Sequence, residues 1–164
     1  MGKASSIACT FVWLIASNVQ AQQDVKIEPA VSRATSGMQQ QAADGAIRNY
    51  LEAWHSLRSA FEQNRSDLLD RDFVGSARKK LGETIQQQGT LGLRTIYQDK
   101  SHDIQIVFYS PEGLSIELTD NVDYDMHIQD KNAGMTRHLR ARYVVVMTPA
   151  EVRWRVRVFE AGTE

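Results

Sequence analysis

LSIELTDNVDYDMHIQ, residues 114–129, alternates apolar and polar side chains almost from end to end. Ile116, Leu118, Val122, Tyr124, Met126 and Ile128 fall on one side of an extended chain. Glu117, Thr119, Asn121, Asp123, Asp125, His127 and Gln129 fall on the other. A period of two held this long requires a half-buried sheet strand, one long and bent or two in succession, with a second layer over the apolar face. One position breaks the pattern: Asp120 puts a carboxylate on the apolar side.

The neighbours of this stretch supply its partners. Upstream, residues 104–109 form a strand ending at Ser110-Pro111-Glu112-Gly113, a type I turn with Gly113 in the left-handed position. Pairing Ser110 with Leu114 sets Phe108, Ile106 and Ile104 opposite Ile116, Leu118 and Asp120. Residues 93–97 form a further short strand. Downstream, a loop at residues 131–134 pairing Asp130 with Met135 sets Met126 opposite Leu139, Tyr124 opposite Ala141 and Val122 opposite Tyr143. On the outer face it sets Asp125 opposite Arg140 and Asp123 opposite Arg142; slipping by one residue would bury the arginines. A last hairpin turns at Pro149-Ala150 and pairs Thr148 with Glu151, aligning Met147, Val145 and Tyr143 with Val152, Trp154 and Val156.

The layer that covers the sheet comes first in the chain. Asp44 can cap a helix whose Ile47, Tyr50, Leu51, Trp54, Leu57 and Phe61 recur at steps of three and four. Ser66 can cap a short helical piece with Leu68 and Leu69. A third helix over residues 73–88 carries Phe73, Ala77, Leu81 and Ile85, with Gly89 as its stop. The fold class is α+β: N-terminal helices packed on a curved antiparallel sheet.

The N-terminus has the layout of a signal peptide: Lys3, the apolar run of residues 7–16, then Val19-Gln20-Ala21 with small residues where a peptidase reads. The run reaches about 15 Å as a helix, about half of a hydrocarbon core, so no stable membrane anchor is expected after cleavage. The expected organisation is a signal peptide at 1–21, a flexible leader at 22–43, a domain at 44–160 and a tail at 161–164, exported to a periplasmic or extracellular space. Cys9 is the only cysteine and lies in the removed segment, which excludes disulfides, thiolate nucleophiles and Cys-ligated metals from the mature chain. Against 20 acidic residues stand 19 Lys and Arg, so the charge excess of a nucleic-acid binder is absent.

The order of elements resembles the NTF2-like superfamily, which includes SnoaL-like and ketosteroid-isomerase-like proteins. The likeness covers about residues 44–160: an amphipathic helix bearing Trp54, further helices, then long strands ending in Val152-Arg153-Trp154-Arg155-Val156. It implies a pocket between the first helices and the concave sheet, here lined by Tyr50, Trp54, Tyr97, Tyr124, Tyr143 and Trp154. It also implies two classes of function. The first is a cofactor-free module that does no chemistry and binds a small apolar ligand or a protein partner in or around that pocket. The second is an isomerase-like enzyme in which Asp120 works with Tyr124 or Tyr143 as acid and base. The residues favour the first, because Thr119-Asp120-Asn121 also reads as a bulge or strand break with Asp120 bonded locally or solvated. A third reading is a subunit that dimerises through the outer face of the sheet.

Other constellations have simpler explanations. Asp123, Asp125 and His127 share a strand face, but their flat spacing and the arginines opposite favour cross-strand ion pairs over a metal. Arg137, Arg140, Arg142, Arg153, Arg155 and Arg157 read as a solvated face balanced by nearby acids. No phosphate loop, Gly-x-Ser-x-Gly elbow or HExxH is present, and no cofactor is expected.

Overall fold

A computed structural model describes residues 24–27, 37–131 and 133–162; the signal peptide and cleavage site expected from the sequence fall outside them. Two helices and one 3-10 turn precede a meander of four long antiparallel strands. The helices are α1 (Gly37–Gln63) and α2 (Gly75–Thr90), with the 3-10 turn at Ser66–Leu69 between them. A short strand β1 (Asp24–Ile27) pairs parallel with the first long strand, β2 (Arg94–Tyr109). The others are β3 (Ile116–Gln129), β4 (Gly134–Pro149) and β5 (Trp154–Ala161), in sheet order β1-β2-β3-β4-β5. α1 packs on β2 and β5, and α2 on β5.

The α1 stripe is buried as its periodicity requires: Ile47, Tyr50, Trp54, Leu57 and Phe61 are all at most 6% exposed. Facing them are Ile104, Ile116, Leu118, Val122, Tyr124, Val145, Met147 and Val156. The helix begins at Gly37, seven residues before Asp44, so residues 22–43 are not uniform: they include β1 and the first turns of α1. α2 starts after Phe73, which instead bridges Val156 with its side chain buried. Gly92, not Gly89, ends α2. At φ 70° it lets Leu93 N–H reach Gln88 C=O while its own N–H reaches Gly89 C=O, the Schellman closure that a left-handed residue allows.

Strand faces match the alternation, but the registers differ. β2 is one strand rather than two, with bulges at Lys100 and Val107. Ile104 lies opposite Asp120 and Ile106 opposite Leu118, as expected. Beyond the second bulge Phe108 meets Glu117, and the turn closes by Ser110 N–H to Ser115 C=O rather than at Leu114. Between β3 and β4 the register is displaced by two residues, because the loop closes on Gln129 and Gly134 instead of Asp130 and Met135. Tyr124 therefore faces Leu139, Val122 faces Ala141 and Asp120 faces Tyr143. A slip of two returns every side chain to its own face, so the core survives the error. Outside, Asp123 pairs with Arg140 and Asp125 with His138, replacing the expected Asp123–Arg142 and Asp125–Arg140 pairs. The last turn is also wider than expected: Pro149 pairs with Trp154 and Met147 with Val156, leaving Val152 in the turn and 90% exposed.

Candidate functional site

The bulge at Lys100 shapes the interior. Before it the odd-numbered residues of β2 face α1, and after it the even-numbered ones do, so Asp99 and His102 come to share the inner face. His102 lies two residues before Ile104, which pairs with Asp120, so its ring reaches the Asp120 carboxylate. From α1, Tyr50, Trp54 and Arg58 follow at steps of four and face the same three groups.

The cluster is closed and tightly bonded. Asp120 is 0% exposed and its Oδ2 accepts two hydrogen bonds, from Tyr50 Oη at 2.8 Å and from His102 Nδ1 at 2.7 Å. His102 is 1% exposed and its Nε2 stands 3.9 Å from Asp99 Oδ2, an ion-pair contact. The guanidinium of Arg58, about a quarter exposed, donates to the same Asp99 oxygen and links the cluster to the surface. The Trp54 ring meets His102 edge-on at 5.2 Å and also touches the rings of Tyr124, Tyr143 and Phe159.

Burial alone would push the His102 imidazole down, but the Asp120 and Asp99 carboxylates outweigh it and hold the pKa up at about 9. Burial pushes Asp99 up, and the contacts from His102, Trp54 and Arg58 bring it net below the usual carboxylate range. Tyr50 is raised by burial and then by Asp120, so it remains a phenol and donates. Tyr97 and Tyr143 are raised mainly by burial.

A pH dependence follows. The folded His102 binds its proton more tightly than the unfolded side chain, so its contribution is complete below the ordinary histidine value near 6.5 and fades as pH rises through about 9. Denaturation at pH 6 and pH 10 should differ by about 3 kcal/mol, with folding weaker at pH 10. A His102→Gln variant should flatten that slope. An unchanged slope in the variant would assign the alkaline loss to other groups.

Each residue singled out in the sequence now has a place. Asp120 is in the middle of β3 in regular register, not at a break, and it is buried rather than solvated. Its tyrosine partner is Tyr50. Tyr143 lies opposite it across the strands, and its hydroxyl meets that of Tyr124 at 3.3 Å. Tyr97 lies between Phe61, which it meets edge-on, and Tyr124, which it meets at a tilt. Trp154 stands apart from these rings: it is half-buried at the turn into β5, its N–H donating to Asn49 Oδ1 on α1 at 2.9 Å. His102, Asp99 and Arg58 are the members that the sequence reading missed. Among the described residues no group of three or more acidic, histidine or cysteine side chains is arranged to hold a metal ion.

No family model and no curated protein matches the sequence. Solved structures do. The intermembrane space region of the chloroplast protein ARC6 aligns with a TM-score of 0.64 at 12% identity, over 76% of this chain and 96% of that one. A provisionally assigned scytalone dehydratase from Novosphingobium aromaticivorans aligns at 0.54 and 13%, over 76% and 88%. A protein of unknown function from Mycobacterium tuberculosis aligns at 0.52 and 11%, over 80% and 78%. At such identities the likeness speaks for architecture, and it agrees with the helices-on-sheet arrangement derived above. The chain has the NTF2-like fold.

Proposed function

We propose that the chain is an exported, non-catalytic module that works by binding a protein partner. The observation that carries the reading is the filled interior. Where the fold would hold a pocket between α1 and the sheet, Trp54 is packed among His102, Tyr124, Tyr143 and Phe159, and Asp120, His102 and Tyr50 are each at most 1% exposed. In this closed state a substrate has no path to these groups. Their charges and hydrogen bonds instead clamp α1 onto β2 and β3. Of the six large apolar side chains exposed among the described residues, four lie at the end of the sheet where β2 turns into β3 and β4 into β5: Val107, Phe108, Leu114 and Val152 are all at least 51% exposed, while Leu91 and Met135 lie elsewhere. The export part of the proposal rests on Lys3, the apolar run behind it and the small residues at 19 and 21.

One observation favours an isomerase- or dehydratase-like enzyme. Asp120 Oδ1 is shielded from solvent and has no hydrogen-bond partner among the described residues, so it could take a proton from a substrate admitted beside Tyr50 and His102. That reading needs α1 to lift from the sheet. Titration with anilinonaphthalene sulfonate separates the two. The binding module should show no saturable one-to-one uptake by the native protein. One-to-one binding with energy transfer that disappears in a Trp54→Phe variant would place an open pocket in the core and overturn the proposal.

A further inference from the structure

The outer side of α1 carries a second stripe. Arg48, Leu51, Glu52 and His55 recur at steps of three and four, and together with Arg71 they line a hollow of about 400 Å³. Leu51 is half-buried against the core, while the other four are exposed. Beneath this face lies a buried charge. Asp72 is 1% exposed, and its carboxylate accepts from Ser56 Oγ at 2.6 Å, Arg71 Nε at 3.1 Å and Arg153 Nη1 at 2.9 Å. Glu52 Oε2 receives the same two arginines, at 3.2 and 3.4 Å. A buried carboxylate is costly unless paired, and here the pairing fixes two guanidiniums whose side chains stay 58% and 26% exposed. A guanidinium has five N–H groups, and these contacts leave one terminal nitrogen of each arginine without an acceptor among the described residues. Glu52 and Asp72 thus balance Arg71 and Arg153. Arg48 adds a further positive charge, and neither it nor His55 has an ion-pair or hydrogen-bonding side-chain partner among the described residues. The whole chain has a net charge of -1, so this excess is local.

We infer that this face of α1 docks an acidic helical segment of a protein partner. The inference rests on the partner-binding reading and gives the partner its chemistry. Arg48 and His55 stand two turns apart, about 10 Å along the helix axis, with Leu51 between them and Arg71 alongside. A partner helix lying along α1 with carboxylates at that same separation, and an apolar side chain between them, matches each of these groups. Its carboxylates meet guanidinium N–H groups that have no other acceptor, the charge-assisted pairing in which arginine is strongest. Its apolar side chain covers Leu51. Arg71 and Arg153 are already held in place by Asp72, so little side-chain freedom is lost when they bind. The face also borders the apolar end of the sheet, because Arg153 directly follows Val152, which is 90% exposed. A basic partner would meet only repulsion from Arg48, and a small anion would leave Leu51 uncovered.

Heteronuclear NMR titration of the purified protein tests the inference. The probe is a capped, alanine-based helical peptide containing Glu-Ala-Ala-Leu-Ala-Ala-Ala-Glu, and the control is the same peptide with both Glu replaced by Gln. The acidic peptide should shift the backbone amides of residues 48–55 and of Arg71 saturably, and the Gln peptide should not. Arg48→Glu, at an exposed position, should weaken binding by about tenfold or more while the circular dichroism spectrum stays unchanged. Arg94→Glu makes the same charge change at the far end of the sheet and should leave binding intact. No saturable shift, equal binding of the Gln peptide, or equal loss with Arg94→Glu overturns the inference. Inorganic phosphate shifting the same amides as strongly would make the hollow a small-anion site, and self-association abolished by Arg48→Glu would give the face to a second copy; either overturns it too. The dye titration is independent of this assay. A protein whose core excludes the dye but that ignores the peptide loses this docking face and keeps the module reading, whereas dye uptake quenched by Trp54→Phe alongside intact peptide binding does the reverse.

Discussion

Replacing Asp120 by alanine is expected to lower folding stability by about 3–5 kcal/mol, the cost of removing one member of a buried charge pair. The loss has little to do with the volume removed. Asp120 Oδ2 receives both the Tyr50 hydroxyl and the His102 ring nitrogen, and without it both donors stay buried with no acceptor in reach. His102 loses the nearer of the two carboxylates that hold its proton, at 2.7 Å against 3.9 Å for Asp99. Its pKa should therefore fall from about 9, and the alkaline loss of stability should begin at lower pH. A double replacement, Asp120→Leu with His102→Leu, should cost less than the sum of the two single changes, because much of each single cost is the stranded partner. Urea denaturation of the set decides the matter. A loss under about 1 kcal/mol for Asp120→Ala would mean that water already solvates the carboxylate and that the cluster is open.

How much of this could be read in the sequence depends on what each feature averages over. The faces of β3 and β4 and the stripe of α1 were legible because each repeats over many residues, and an error of two in register leaves a period of two unchanged. Loop closure does not repeat. Whether Asp130 or Gln129 ends β3 is a local balance of turn geometry, and Asp130 N–H bonding to Ala133 C=O inside the loop is what moved the Asp123 partner to Arg140. The candidate site was half legible for a related reason. Asp120 stood out as a charge on an apolar face, and Tyr50 was placed on the same side of the core. His102 carried a signal too, as an imidazole two residues before Ile104 on the same apolar strand face. Asp99 carried none. With the strand assumed regular, Asp99 and His102 fall on opposite faces, and only the bulge at Lys100, which no residue type announces, turns both inward.

Trp54→Ala should cost about 3–5 kcal/mol, as expected for a packed indole, and Trp154→Ala about 1–2 kcal/mol, as expected for partial burial. The sequence set both tryptophans in one wall, but the structure divides their work. Trp54 is 3% exposed and holds four rings in place, whereas Trp154 is half-buried and is anchored to Asn49 through its backbone N–H, which a side-chain change leaves alone. If Trp54 is what fills the place where this fold would keep a pocket, its removal should create one. Of the surrounding side chains, Tyr124 and Tyr143 belong to strands paired on both flanks and Phe159 to β5, paired with β4, so they cannot collapse fully into the gap. The Trp54→Ala protein should therefore bind free indole, recover part of the lost stability as ligand is added, and show a midpoint that rises with ligand concentration. The native protein should do none of this. Indole raising the native midpoint equally would show that the interior is open before the change, and would return Asp120, His102 and Tyr50 to the list of groups a substrate can reach.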